Sequence, residues 1–358
     1  MNTLQSRHPN LYTKAPREQW DETAAALRSG IPSLSDTQVA MEMARIAAMA
    51  GDGHTFVNLR TSPLFTALPL RLQWFEEGWV ATTVPGDQPA MLGTVVIRLD
   101  TTPMEEVIEK IRPYVAYENE WWFRVQVLNY LISPEILANL GVQLSRNAIT
   151  INDEWLVPAT APSVTAGPIL AQPRFPLWTR YNGLNYWFHY LAESRTIYVK
   201  YNVCAEMPVL PAARFRAELA AALADNAVER IVLDVRTNTG GNSAVLARLL
   251  PPVPGGVKRV VITGRQTFSS GLWAASDLSR AGWTLVGEPT GGKPSSFGEV
   301  VGFTLPHSGL RGQVSTRYFT GPVQTQSDTL RPDVLAPWTW AGFSRELDVF
   351  LEAALAVN

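Results

Sequence analysis

The chain is expected to be a mixed α/β protein whose C-terminal half is built on a largely parallel sheet. Three observations carry this. The first 60 residues show helical periodicity with capping signals, residues 61–158 string aromatic and β-branched runs around one helical stretch, and from residue 177 onward apolar runs alternate with helical patterns.

The N-terminal segment, residues 1–60, is helical over 19–50. Ser35 and Gln38 make a capping-box pair, Val39, Met43, Ile46 and Ala47 fall on one face, and Gly51 is a C-terminal stop. His54 therefore follows a helix end. Residues 61–158 form a small α+β module, with LRLQWF, GWVATTV, GTVVIRL and AITIND as strand runs and Met104 to about Ile111 as a helix. The stretch 159–176, ATAPSVTAGPILAQPRFP, is rich in Pro, Ala, Thr and Ser without a period, which marks a linker.

Residues 177–358 form the α/β core. TIYVKYNV (196–203) precedes a helix from about Pro211 to Asp225, IVLDVR (231–236) precedes one around Ala244–Leu250, and RVVITG (259–264) precedes one over Ser270–Arg280, with WTLVG (283–287) beyond. Strands at intervals of about 25 to 30 residues imply right-handed crossovers between parallel neighbours. Reactive loops of such a sheet lie at the strand C-termini.

Composition removes several function classes. With 30 Lys+Arg against 32 Asp+Glu there is no basic field for nucleic acid or an anionic membrane surface. Cys204 is the single cysteine, so no internal disulfide forms, and four histidines leave too few soft ligands for a multi-site metalloprotein. No metal or cofactor is expected. No apolar run approaches the ~20 residues of a membrane span. The opening MNTLQSRHPNLYTKAP has no apolar core of a secretory signal, which leaves the compartment open between cytoplasm and export after removal of a leader.

Chemistry concentrates at three strand ends: Asn238-Thr239-Gly240-Gly241-Asn242, Thr267-Phe268-Ser269-Ser270-Gly271, and Gly287-Glu288-Pro289-Thr290-Gly291-Gly292-Lys293. A serine at a strand-to-helix turn exposes its hydroxyl where helix N-terminal amides face developing negative charge. Ser269 sits there. Paired glycines, Gly240 and Gly241, offer amides with no side chain in the way of an oxyanion. Taken singly, each pattern is equally a tight βα turn or a serine N-cap.

The combination is more specific. IVLDVRTNTGG, TFSSGLWAASDL and LVGEPTGGK, together with GDGHT at Gly51–Thr55, resemble the C-terminal processing peptidase (tail-specific protease) superfamily, nearer its tricorn-core and interphotoreceptor retinoid-binding protein-like branch. The resemblance covers about residues 8–58 and 185–335. It implies a ClpP/crotonase-like spiral ββα core and a serine peptidase acting on a peptide or protein substrate. It makes Ser269 the nucleophile, with an oxyanion hole from the amides of Ser270 and of Gly240 or Gly241. Leu272 stands where the family usually has glutamate.

Two general bases compete within the resemblance. His54 lies in the Asp-x-His-Thr segment, and Lys293 lies 24 residues after Ser269, where one branch carries a lysine. An imidazole titrates near neutral pH unaided, whereas an ammonium has to be brought down by burial to serve, so His54 is favoured. The tricorn-like branch places a glutamate shortly before a Pro-Asp pair. Here Gln324, Gln326, Ser327 and Asp328 precede Pro332-Asp333, which leaves Asp328 as the nearest acidic group to orient the base. His8, near the terminus, is expected to be structural or mobile, His189 a sheet or core residue, and His307 a turn residue.

Other readings compete. Gly287–Lys293 satisfies G-x-x-x-x-G-K, but Pro294 replaces the Mg²⁺-binding hydroxyl and PSSFGEVVGF continues as turn and strand rather than helix, against nucleotide hydrolysis. Ser269 lacks the G-x-S-x-G elbow of an esterase. A carrier without catalysis would use Trp121, Trp122, Trp178, Tyr181 and Trp187 as an apolar lining, although aromatics more often fill cores. The stretch GTVVIRLDTTPMEEV loosely resembles the carboxylate-binding loop and helix of a PDZ domain, an unrelated hairpin module being the alternative. Oligomerisation is left open.

Overall fold

The structure, a computed structural model, describes residues 1–142, 148–158, 176–321, 327–345 and 347–358. Contacts divide the chain into two compact units, Met1–Leu170 with Ser296–Phe319, and Ala171–Ser295 with Thr320–Asn358. The linker expected at 159–176 falls outside the described residues except for Pro176. Among the described residues no helix is long and apolar enough to cross a membrane.

In the first unit the helical stretch expected over 19–50 is two helices, Arg17–Gly30 and Asp36–Ala48, preceded by Asn2–Arg7. A 3₁₀ turn over Ile31–Ser33 separates them, where Pro32 has no N–H to continue the ladder. Ser35 then starts the second helix with both bonds of a capping box to Gln38. Gly51 turns the chain at φ +64, and a Cβ there would lie 2.2 Å from Lys14 Cγ, so only glycine fits this exit.

Ala40, Met41, Ala44 and Ala47 pack with Val57, Leu59 and Leu310. Strands Ser296–Thr304 and Arg311–Phe319 form a long antiparallel hairpin in this same unit, and Phe56–Asn58 adds to it with Phe56 opposite Gln313. The chain just after Gly51 is thereby tied to a sheet made some 250 residues later.

The rest of the unit is the small module. Its four-stranded sheet has the order Thr102–Pro103, Arg98–Leu99, Ala148–Ile151, Trp155–Pro158, with a separate hairpin of Arg71–Phe75 and Gly78–Thr83. The helix Met104–Ile111, at the predicted position, turns Met104, Val107, Ile108 and Ile111 into a core shared with Leu99, Ile149, Ile151 and Val157. Burying each such side chain contributes roughly 1.5–3 kcal/mol.

The second unit carries a six-stranded sheet. Its order is Val334–Leu335, Thr284–Gly287, Lys258–Thr263, Arg230–Asp234, Thr196–Tyr201, Tyr186–Leu191, all parallel except the last, which runs antiparallel at the edge. Every residue of Thr196–Tyr201 and Arg230–Asp234 is buried, as strands covered on both faces require. Alternation decides which face each residue serves. Ile197, Val199, Ile231 and Leu233 meet the helices Ala212–Asp225 and Ser270–Arg280, while Tyr198, Val232, Val260 and Ile262 meet Val349–Leu355. Trp187 belongs to the second of these cores, Trp122 is buried in the other unit, and Tyr181 is exposed. His189 is exposed on the edge strand and His307 is exposed in the turn between the hairpin strands.

Candidate functional site

The strand Lys258–Thr263 runs into a short loop and then the helix Ser270–Arg280, with Ser269 at the N-cap position. Ser269 adopts φ +51 and ψ −128. A non-glycine residue at positive φ outside a regular turn carries strain of order 1–3 kcal/mol, which persists only where surrounding structure imposes it. Its hydroxyl makes no cap hydrogen bond to its own helix. Ser269 thus holds the N-cap position without the side-chain bond of a capping serine.

Surrounding structure does impose the turn. Phe268 N–H donates to Asn238 O at 3.0 Å and Thr267 Oγ1 donates to Val235 O at 2.9 Å, so the loop after Arg230–Asp234 clamps the turn from one side. Asn238 is fully buried: its Nδ2 donates to Tyr201 O, and its Oδ1 accepts the Gly240 N–H, both at 2.9 Å. Ser270 Oγ donates to Gly241 O at 2.6 Å and joins the glycine pair to the helix start.

The glycine pair divides its work. A Cβ on Gly240 would lie 2.6 Å from Ser269 Cβ and 3.0 Å from Ser269 Oγ, at φ +113, so the missing side chain is what lets the loop approach the serine. The Gly240 amide donates to Asn238 Oδ1 at 2.9 Å. Gly241 sits beside Cys204 in a parallel bridge made by Cys204 N–H to Gly240 O and Asn242 N–H to Cys204 O, an arrangement that uses neither the Gly241 amide nor that of Ser270. Gly240→Ala is expected to lower the reactivity of Ser269 by about 10²-fold through misplacement of that side chain. Gly255→Ala, where a Cβ meets nothing within 4 Å, serves as the control in labelling-rate and thermal-unfolding measurements.

The third motif packs against the serine turn. Glu288 Oε2 accepts from Arg265 Nε at 3.0 Å within a buried pair, and Thr290 Oγ1 donates to Gly292 O at 3.0 Å. Gly292 N–H reaches Thr267 O at 3.0 Å, so this loop backs the serine turn. Lys293, at its end, is half-buried. Leu272 is buried, and a Cβ on Gly292 would meet Leu272 Cβ at 3.3 Å.

Beneath the glycine loop lies a buried charge cluster that periodicity concealed inside apolar strands. Lys200 Nζ is 3.3 Å from Asp234 Oδ1 and donates to Thr237 Oγ1 at 2.9 Å. Arg236 bridges Asp234 and Asp348 at 2.8 and 2.6 Å, and Tyr198 Oη donates to Asp234 Oδ2 at 2.5 Å. Burial acts to raise the Asp234 carboxyl, but the Arg236 and Lys200 charges outweigh it and hold it below its usual range. For Lys200 burial wins: its ammonium is lowered from 10.5 to about 8.

That displacement has a sign. Between about pH 8 and 10.5 the unfolded chain keeps the Lys200 proton and the folded chain sheds it, so stability rises with pH across this window and is lost again as pH falls through 8. The rise is expected to reach up to roughly 3 kcal/mol. Urea unfolding from pH 8 to 10.5 should show it as a wild-type stability that rises relative to that of Lys200→Met.

In the first unit, His54 is buried at the turn after the helix Asp36–Ala48. Asp52 organises this turn. Its Oδ1 accepts the His54 N–H at 2.6 Å and Ser315 Oγ at 3.1 Å, and its Oδ2 accepts Thr55 Oγ1 at 2.6 Å and pairs with His8 Nε2 at 3.0 Å. Burial pushes the Asp52 carboxyl up, but the bonds from His8 and Thr55 and the nearby His54 hold it below its ordinary value. Gln313 Nε2 donates to His54 O at 2.9 Å, adding a tie from the long hairpin.

His54 Nδ1 is 3.6 Å from Glu118 Oε1 and 3.8 Å from Asp52 Oδ1. Glu118, in the loop before the helix Glu120–Gln126, escaped sequence reasoning, because nothing in Tyr117-Glu118-Asn119 marks it. Asp328, the expected orienting carboxylate, is exposed in the other unit, and its neighbours Gln324 and Gln326 lie outside the described residues. Asp52, His54 and Glu118 bring possible ligand atoms within 4.8 Å of one another. Both Asp52 oxygens already take two donors each, so the trio would have to surrender hydrogen bonds to hold a cation.

Mature CPAF complexed with lactacystin matches 99% of this chain with 94% of its own, at 12% identity and a TM-score of 0.65. The chain shares the fold of CPAF. A serine-to-alanine variant of CPAF matches over the same shares at 11% identity and a TM-score of 0.65. The photosystem II D1 C-terminal processing protease matches over 99% of this chain and 94% of its own at 16% identity, with a TM-score of 0.45. No protein-family model matches the chain, and no curated protein matches it in sequence. The CPAF-like fold bears out the expected mixed α/β architecture with several sheets.

Proposed function

We propose that the chain is a serine peptidase of the C-terminal processing type. Ser269 Oγ attacks a peptide carbonyl, His54 takes its proton, the amides of Gly241 and Ser270 receive the oxyanion, and His54 returns the proton to the leaving amine. Water, activated by the same imidazole, then releases the acyl group from Ser269. The observation that carries this reading is Ser269 itself, strained at φ +51 and pressed against Gly240 with its hydroxyl not spent on capping. In this reading Glu118 takes the orienting part, supported by its 3.6 Å approach to His54 Nδ1.

The likeness to CPAF supports a shared chemistry, since that protein is known in complex with lactacystin and as a serine-to-alanine variant. The parallel-sheet unit is read as the ClpP/crotonase-like spiral ββα core. Residues 61–158 are read as a PDZ-like module, with the helix Met104–Ile111 beside a four-stranded sheet suited to taking an extended peptide by strand addition. A dyad of Ser269 with Lys293 is the competing arrangement, supported by the packing of the Gly292 loop behind the serine turn.

The test is labelling of the full chain with a fluorophosphonate, followed by mapping of the modified peptide. Adduct on Ser269, blocked by prior incubation with lactacystin, is the expected result. Labelling of neither Ser269 nor Ser270 assigns the chain to binding without catalysis, and an adduct on Ser270 alone moves the nucleophile.

A further inference from the structure

The N-terminal arm carries a histidine that the proposed mechanism does not use. His8 follows the helix Asn2–Arg7, and far from being mobile it is buried, with its ring 4.5 Å from that of Phe297. Leu4 and Leu11, on either side, are buried with Trp20, Ile46 and Val314. The arm is therefore seated by apolar packing, and the imidazole is delivered to one place.

The tautomer of that imidazole follows from its neighbours. Asn10 N–H donates to His8 Nδ1 at 3.2 Å, and a backbone amide can only donate, so Nδ1 carries no proton. The proton is on Nε2, and Nε2–H donates to Asp52 Oδ2 at 3.0 Å. With Thr55 Oγ1, Ser315 Oγ and the His54 amide as the other donors, the four acceptor positions of this buried carboxylate are filled. Taking away one donor leaves a buried acceptor unsatisfied, and the turn has to shift or admit water to repair it. That turn is the one that carries His54.

We propose that His8 is a positioning residue for His54, acting through its Nε2–H bond to Asp52, so that the N-terminal arm is a working part of the site. The inference rests on the reading of His54 as general base. It adds a layer behind that base: His8 holds Asp52, Asp52 holds the His54 backbone, and Glu118 approaches the His54 ring. No proton passes through His8, whose Nδ1 is occupied by Asn10.

Two substitutions separate positioning from bulk. His8→Phe keeps an aromatic ring against Phe297 but has no donor, while His8→Gln offers an amide N–H for Asp52 and an amide oxygen for Asn10. In peptide hydrolysis by the full chain, His8→Phe is expected to lower kcat by about 10²-fold with KM unchanged, the signature of a displaced catalytic group rather than lost binding. His8→Gln is expected to recover most of that loss. Hydrogen exchange at the His54 amide, which reports its bond to Asp52, should quicken in His8→Phe and return towards wild type in His8→Gln.

Wild-type kcat in His8→Phe, or unchanged His54 amide protection in that variant, overturns the proposal. Should His8→Phe fail to fold, a folded His8→Gln with the same loss of about 10²-fold overturns it as well. A wild-type chain without any turnover sinks the peptidase reading instead, and amide exchange then still decides whether His8 holds the turn.

Discussion

Ser269→Ala is expected to lower peptide hydrolysis by a factor on the order of 10⁴ or more and to abolish fluorophosphonate labelling, with the folded structure unchanged. The substitution removes a hydroxyl that caps nothing, so no structural bond is lost. A companion variant makes the strain measurable. Ser269→Gly removes the same hydroxyl but suits φ +51, and is expected to unfold at higher free energy than Ser269→Ala by about 1 kcal/mol. Thermal unfolding of the two inactive variants checks this. Equal stability means the turn is not strained, and wild-type turnover in Ser269→Ala with a dead Ser270→Ala transfers the nucleophile to its neighbour. Ser270→Ala itself should retain labelling at a reduced rate, because it loses the bond that ties Gly241 to the helix start.

His54→Ala is expected to remove a factor on the order of 10⁴ from kcat/KM, as loss of a triad member does. Lys293→Ala, by contrast, should cost less than roughly tenfold, an effect on loop order rather than on proton transfer. The reverse ranking assigns the base to Lys293 and dissolves the part given to His8. Glu118→Gln discriminates further. It keeps the shape of the side chain beside His54 Nδ1 and removes its charge, so it should lower kcat while leaving KM in place if Glu118 orients an imidazole that becomes positively charged. A Glu118→Gln variant with wild-type kcat leaves orientation to Asp52 and the backbone alone.

Much of the architecture was legible in the residue pattern. The helices Met104–Ile111 and Ser270–Arg280 stand where periodicity predicted them, and the capping box at Ser35 and Gln38 is formed by both of its bonds. These features are local, decided by residues within a turn or two of each other, so a one-dimensional pattern contains them. The break at Pro32 shows the limit of periodicity, since the missing N–H of a single residue interrupts the ladder inside a stretch that reads as one helical segment. The long hairpin of Ser296–Thr304 and Arg311–Phe319 falls within residues 177–358 by sequence, yet its contacts gather it with the N-terminal helices.

Local pattern marks candidate groups only: a serine at a strand-to-helix turn and a glycine pair at a strand end stand out by their neighbours, while the histidine of GDGHT stands out by resemblance. What each group is committed to was decided only in three dimensions. The Gly240 amide is spent on Asn238, Ser269 is turned to positive φ by bonds from the Asn238 loop, and Asp52 is filled by donors from His8, His54, Thr55 and Ser315. Lys200 lies within a strand that otherwise reads as buried and apolar, and its partner Asp234 comes from the neighbouring strand. The physical reason is common to all of them. A buried polar group must find its partner wherever the fold supplies one, and those partners come from residues tens to hundreds of positions away, at separations that no local pattern encodes.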